Sequence, residues 1–191
     1  MHGVSRHTHW PRLRERLAPR LALFARAKGG AAAVELALVA LPFFALLLGV
    51  IELSLIFLVS SSLENATALA ARTIRTGQLQ TGGSATASAF KTTICNNFGW
   101  LPSSCNGNLY VDVETFTTFA SVTAPQPVTN GVFDSSKLSF SPGNPSDIVV
   151  VRAYYQWPLI APLMFQSAQQ LSGGKLLITS TQAFRNEPYG S

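Results

Sequence analysis

An uncharged apolar segment near the N-terminus restricts the folds available to this chain more than any other feature. Residues 36–51 (LALVALPFFALLLGVI) carry no charge, and after Glu52 the apolar run continues through residues 53–59. Together they give about 24 residues, enough for one α-helix to cross a hydrocarbon core roughly 30 Å thick. A cleaved secretory peptide has an apolar region of only about 7–15 residues. The segment therefore predicts a single membrane-spanning helix.

The positive charge of the chain is concentrated before this segment. Residues 1–30 carry seven basic residues and one acidic residue, a formal charge of +6, whereas residues 31–191 carry seven basic and eight acidic residues, −1. Lys and Arg that flank a span stay on the cytoplasmic side of the membrane. The charges therefore predict a cytoplasmic leader, an exported C-terminal part in the periplasm or at the cell exterior, and no nucleic-acid partner.

The junction between leader and apolar run has the pattern of prepilin-type processing. Cleavage after Gly30 makes Ala31 the new N-terminus and places Glu35 at the fifth mature position, whereas cleavage after Gly29 would place Val34 there. A carboxylate near the hydrocarbon boundary costs up to ~3 kcal/mol unless it finds a partner, and the new amino group of a neighbouring copy would be one. The alternative is that Glu35 is an interfacial residue of an uncleaved signal anchor.

Glu52 is the second carboxylate of the apolar segment, about 25 Å further along a helix than Glu35. If the span begins near Leu36, Glu52 lies toward the exported boundary and reaches the lipid headgroups. If the helix is shifted outward, Glu52 lies deeper and needs a protein partner. The sequence leaves both placements open.

Beyond the membrane segment, the pattern predicts an α+β fold. Apolar residues at three- and four-residue spacing over 63–74, followed by Gly77, extend the helix to about 45 residues. A short helix is expected over 85–98, and strands of one antiparallel sheet over 109–119, 147–157 and 175–184, where apolar and polar residues alternate. The predicted divisions are a leader (1–30), a transmembrane and extended helix (31–76) and an exported domain (77–191).

Two cysteines fit an exported domain. Cys95 and Cys105 both lie in the exported part, where an oxidising compartment favours a disulfide that ties the end of the short helix to the next strand. The alternative is two unpaired buried thiols. Two cysteines at this spacing are too few ligands for a metal site.

The sequence offers little for catalysis. All three histidines, His2, His7 and His9, lie in the leader, so the processed chain would have none for a catalytic triad or a metal centre. Asp112 and Glu114 share one face of a predicted strand. We expect that face to be solvated, with Arg152 on a neighbouring strand as a counter-charge. No enzyme activity, cofactor or metal is expected.

Several segments resemble one known family. RAKGGAAAVELALVALPFFALLLGVIELSLIF and LENATALAARTIRTGQ are similar to the TadE-like family of pilus-assembly proteins, the pseudopilins of tight-adherence (Flp-type) pili. The likeness extends to LYVDVETF after the cysteines and to the ending ITSTQAFRNEPY, and so covers about residues 26–189. It implies a prepilin-peptidase site at Gly30, Ala31 and Glu35, although many members have an aromatic residue where this chain has Leu36.

The resemblance implies a minor component of the inner membrane that acts in pilus assembly. Its implied partners are the membrane, pilin, other pseudopilins, platform proteins of the pilus machine and the prepilin peptidase. Two other classes of function remain open. One is a signal-anchored exported module that binds a peptide or polysaccharide, and the other is a small exported hydrolase that uses Asp112 and Glu114.

Overall fold

The computed structural model describes residues 28–83, 85–99 and 102–189. The leader residues 1–27, including the three histidines, lie outside the described residues. The chain divides into two compact units, Met1–Leu48 and Gly49–Ser191, and this division falls within the first helix. The boundaries expected from the sequence at residues 30 and 76 stay predictions.

A long helix, α1, runs over Lys28–Arg75 and has 48 residues. It ends where the sequence indicates, because Gly77 has a φ of 75° and its amide donates to the carbonyl of Ile74 at 3.0 Å. Glycine adopts this left-handed conformation without the steric penalty that a Cβ brings, which makes it a common helix stop. The long N-terminal helix expected from the sequence is confirmed.

Three short helices follow in the second unit: α2 (Gln78–Thr81), α3 (Ala87–Asn96) and α4 (Pro102–Asn108). The side chain of Thr86 caps α3 by accepting a hydrogen bond from the amide of Ala89 at 3.2 Å. The expected disulfide is present, with a Cα–Cα distance of 5.6 Å between Cys95 and Cys105. It joins α3 to α4 rather than to a strand, because residues 102–108 form one more helical segment before the sheet begins.

Three antiparallel strands form the sheet, in the order β1–β4–β5. They are β1 (Leu109–Phe116), β4 (Ile148–Pro158) and β5 (Lys175–Arg185), close to the three expected strands. A small hairpin, β2 (Val128–Thr129) with β3 (Val132–Phe133), lies within the connection from β1 to β4. The connection from β4 to β5 contains one 3-10 turn, Gln166–Ala168.

The core of the second unit combines the sheet with the C-terminal half of α1. One face of β4 (Val149, Val151, Ala153, Tyr155 and Trp157) belongs to a single hydrophobic cluster with apolar residues of α1 and α3. The α1 residues in this cluster are Val59, Leu63, Ala66, Ala70, Ala71 and Ile74. The opposite face of β4 is buried as well, so the central strand is covered on both sides instead of being half-buried as the alternation predicts.

Candidate functional site

The N-terminal part of α1 exposes an extensive apolar surface. From Gly30 onward the helix is long and apolar enough to cross a membrane by its length and composition, and its most apolar 18-residue stretch has a mean hydropathy of 2.5 and no buried part. Soluble monomers rarely expose apolar patches larger than a few hundred Å². The helix is therefore a candidate for a single membrane span. Its exposed large apolar residues are Val34, Leu36, Leu38, Val39, Leu41, Phe43, Phe44, Leu46, Leu47, Leu48, Val50, Ile51, Leu53, Phe57 and Leu58.

The residues of the predicted processing site lie at the beginning of this helix. Gly30 is partly exposed, and Ala31 and Glu35 are exposed. Within the described part of the chain, Glu35 has neither an ion-pair nor a hydrogen-bond partner. Its carboxylate is therefore accessible to a group from another molecule, while cleavage after Gly30 stays a prediction.

Glu52, in contrast, is buried within the second unit. Only 1% of its surface is exposed. Its Oε2 accepts hydrogen bonds from the backbone amides of Ile160 at 2.7 Å and Ala161 at 3.1 Å, and its Oε1 accepts a longer one from the indole Nε1 of Trp157 at 3.4 Å. Of the two placements considered for Glu52, the structure has the one in which the carboxylate finds a protein partner. That partner is a segment of the same chain.

Three converging donors make this burial tolerable without a counter-ion. Hydrogen bonds to an ionised carboxylate are about twice as strong as those between neutral groups. None of the ion pairs among residues 28–83, 85–99 and 102–189 includes Glu52. The donors lie at the end of β4: Trp157 is the residue before its last one, and Ile160 and Ala161 follow the strand. Sequence reasoning identified the carboxylate but missed its donors, since two of them are backbone amides.

Of the acid pair on β1, Asp112 is buried and Glu114 is partly exposed, which corrects the expected solvated face. Asp112 is fully buried, and its Oδ2 lies 2.7 Å from the Nη1 of Arg152, which also lies 2.8 Å from the Oε2 of Glu114. The connection after β1 folds back over this face: the amide of Ser139 donates to Asp112 at 2.8 Å, and the carbonyl of Thr123 accepts from Arg152. The counter-charge expected at Arg152 is present.

The electrostatics of this cluster favour a structural role. Burial alone would lower the pKa of Arg152, but hydrogen bonds with Glu114 and Asp112, and the charge of Asp112, outweigh it and place the pKa above its ordinary value. Both oxygens of Asp112 already accept hydrogen bonds. The cluster thus connects β1, β4 and the covering segment, and Asp112 has no free oxygen directed at a cavity.

Two further observations concern ligands. Among the described residues, no group of three or more His, Cys, Asp or Glu side chains could hold a metal ion. An open cavity of about 380 Å³ lies beside α3 and β1, where Lys91, Tyr110 and Phe140 are among its lining residues. The Lys91 ammonium lies 5.5 Å from the centre of the Tyr110 ring, and burial lowers the pKa of Lys91. Three serines also line this cavity, Ser88, Ser135 and Ser139, and the described lining has no His, Cys, Asp or Glu side chain.

Comparison with protein families found a match for one segment of the chain. The model of the family described as TadE-like protein matches residues 30–72. The match confirms the resemblance over that segment, which begins at Gly30 and lies within α1. Comparisons with curated proteins and with solved structures gave no match.

Proposed function

We propose that this chain, whose residues 30–72 form a TadE-like segment, is a minor pseudopilin or assembly factor of a tight-adherence (Flp-type) pilus. One observation carries the proposal: the TadE-like segment coincides with a helix that exposes apolar side chains from Val34 to Leu58. Such a surface fits lipid and the helices of other membrane proteins. In this proposal α1 anchors the chain in the inner membrane, with the sheet of the second unit on the side of the periplasm or the cell exterior.

The proposed mechanism begins at the leader. The basic leader holds the N-terminus in the cytoplasm until a prepilin peptidase cleaves after Gly30. The new amino group of Ala31 and the exposed carboxylate of Glu35 then become complementary charges on neighbouring copies, and their pairing removes the cost of an isolated carboxylate in the membrane. Once released, α1 packs against pilin or platform helices.

The burial of the outer half of α1 supports a minor rather than a fibre-forming role. Leu63, Ala66, Ala70 and Ile74 are fully buried in the hydrophobic cluster of the second unit. A helix face covered by the protein's own sheet is unavailable to neighbouring helices. We infer that the second unit limits pilin-like stacking to the part of α1 that precedes this covered face.

The N-terminal residue of the mature protein tests the proposal. Mass spectrometry of the membrane-extracted protein should find a start at Ala31 in a host with its prepilin peptidase and an intact leader in a host without it. Gly30→Leu should abolish cleavage, because a side chain at the cleaved residue obstructs close approach to the backbone. Gly29→Leu is the matched control and should still start at Ala31. An intact start at residue 1 or 2 in both hosts would contradict pseudopilin processing.

A further inference from the structure

The apolar loop is defined as residues 158–174, that is, the connection from β4 to β5 together with Pro158 at the end of β4. The chain has no charged residue between Arg152 and Lys175. Outside α1, the large apolar residues exposed among those the structure describes are Phe119, Val132, Ile160, Leu163 and Met164, and the last three belong to this loop. Leu163 is the most exposed of them, at 83%. A solvated loop would normally carry polar side chains at its tip.

The apolar loop is fixed against α1 at a level where the helix is still apolar. Glu52 accepts hydrogen bonds from two successive amides of the loop, at Ile160 and Ala161. One helical turn earlier, a Cβ on Gly49 would lie 3.8 Å from the Cε of Met164 and 3.9 Å from the Cζ of Phe165, which is ordinary van der Waals contact.

The exposed apolar surface of α1 continues past this contact. Leu53, Phe57 and Leu58 are exposed. Leu58 lies six residues after Glu52, or about 9 Å further along the helix axis. The apolar loop contacts α1 at Gly49 and Glu52, which both precede Leu58. If lipid covers α1 up to Leu58, the loop therefore lies at a level of the helix that is within the hydrocarbon.

The part of the loop next to α1, residues 159–164, has most of its backbone amides paired within the protein. In hydrocarbon, non-helical backbone is tolerated only where its polar groups are paired within the protein. Pro158 and Pro162 have no N–H to pair. Between Leu159 and Met164, the paired amides are those of Leu159 to the carbonyl of Gly174 (3.1 Å), Ile160 and Ala161 to Glu52 (2.7 and 3.1 Å), and Met164 to the carbonyl of Ala161 (3.0 Å).

We propose that the apolar loop is embedded in the exported leaflet of the membrane beside α1, with Ile160, Leu163 and Met164 in contact with lipid acyl chains. This inference rests on the proposed membrane span of α1. Lipid is the occupant that the observations favour, because Ile160, Leu163 and Met164 are exposed, the loop itself has no charged residue, and it lies beside the exposed apolar surface of α1. A protein partner usually meets an apolar centre surrounded by a polar rim.

Spin-label accessibility tests the proposal with the full chain in phosphatidylcholine–phosphatidylglycerol vesicles. Both native cysteines are bonded to each other, so a single introduced thiol can be labelled without reduction. Labels are placed separately in Leu163→Cys, in Phe57→Cys as the lipid reference and in Val132→Cys as the water reference. Val132 is a matched control, because it is an apolar residue of the second unit with 61% exposure. Collision rates with oxygen and with a water-soluble nickel chelate are measured for each.

The expected oxygen-to-nickel ratio at position 163 equals that at position 57 and is several-fold higher than at position 132. A water-like ratio at 163 with a lipid-like ratio at 57 would overturn the loop proposal and leave the membrane span and the proposed function intact. In that case the apolar loop would become a surface for a protein partner. Water-like ratios at both 57 and 163 would overturn the span and the loop proposal together.

Discussion

At the residue scale, Glu52 shows how a costly group becomes part of a local structure. An ionised carboxylate inside an apolar region is stable only if strong donors replace the water it has lost. Trp157, Ile160 and Ala161 provide those donors from one short stretch of chain. Glu52 thus connects the membrane-proximal part of α1 to the apolar loop, and a change in its charge should loosen that loop first.

Glu52→Gln should destabilise the second unit and expose the loop amides. The amide of Gln keeps one acceptor but directs an NH₂ group at a position where donors converge, so at least one buried donor loses its partner. The free energy of unfolding should fall by about 1–3 kcal/mol. Hydrogen exchange measured by mass spectrometry in detergent micelles should be faster at Ile160 and Ala161.

The matched control for this variant is Glu64→Gln, the same change at an exposed position of the same helix. Its effect on the free energy of unfolding should stay within about 0.5 kcal/mol, as is usual for surface substitutions. Equal exchange at the loop amides in the two variants would show that the Glu52 carboxylate does not hold the loop.

Asp112 and Arg152 form a buried ion pair that the strand pattern does not predict. Alternating apolar and polar residues on β1 indicate one solvated face, yet Asp112 is fully buried. The prediction differs from the structure because an acid can be buried when a guanidinium neutralises its charge and a backbone amide donates a hydrogen bond to it. Arg152 occurs on β4 directly opposite Asp112 in the strand register, and this pairing makes the burial possible.

At the element scale, α1 has two halves with opposite surroundings. Between Val34 and Leu58 its large apolar side chains are mostly exposed, whereas from Val59 to Ile74 an apolar stripe is fully buried against the second unit. Small residues in that stripe, Ala66 and Ala70, let the helix lie close to its neighbours. The packing of this half is therefore sensitive to added volume.

Ala70→Leu should destabilise the second unit by about 1–3 kcal/mol, because three additional carbon atoms have no space in a filled core. Ala68→Leu is the matched control, since Ala68 is exposed two residues earlier on the same helix. Leu and Ala both favour helices, so helix propensity does not separate the two variants. Denaturant unfolding in micelles, followed by near-UV circular dichroism, measures the difference. Equal stability of the two variants would contradict the packing of α1 against the sheet.

At the scale of the whole molecule, the proposed function assigns different tasks to the two ends of the chain. In the proposal, the TadE-like segment over residues 30–72 brings the protein to the membrane and to other helices, while the rest of the second unit covers the outer half of α1. A chain reduced to its helix would expose Leu63, Ala66, Ala70 and Ile74 and would resemble a bare pilin subunit. The second unit is thus proposed to determine where stacking ends.

Deleting residues 82–191 should change the number of pili while leaving the truncated chain in the membrane. The reason is that an uncovered α1 stripe allows the subunit to stack at positions where the complete chain would stop. Pili are counted by electron microscopy, and a C-terminal tag reports the membrane level of the truncated chain. The complete chain with the same tag is the control. Unchanged piliation at a normal membrane level would refute the role assigned to the second unit.

Much of the fold could be predicted from local sequence patterns. The extent of α1, the stop at Gly77, the three strands and the disulfide partners each depend on residues that are close along the chain or on the small number of cysteines. A helix period, a glycine stop and alternation in a strand are local properties of the backbone. The element that holds Cys105 was not predicted, because α4 has weak helix signals and the disulfide was expected to reach the next strand.

The sequence by itself determined that this chain has a long apolar helix, an antiparallel sheet and two carboxylates in an apolar setting. Only the tertiary structure decided what surrounds those carboxylates and the acid pair. Trp157 is 105 residues from Glu52, and Ser139 is 27 residues from Asp112. Burial depends on which distant segments cover a side chain, and hydrogen bonds from backbone amides leave no trace in residue identity. Periodicity therefore identified the helices and strands, whereas long-range contacts determine the burial and the hydrogen-bond partners of these charged groups.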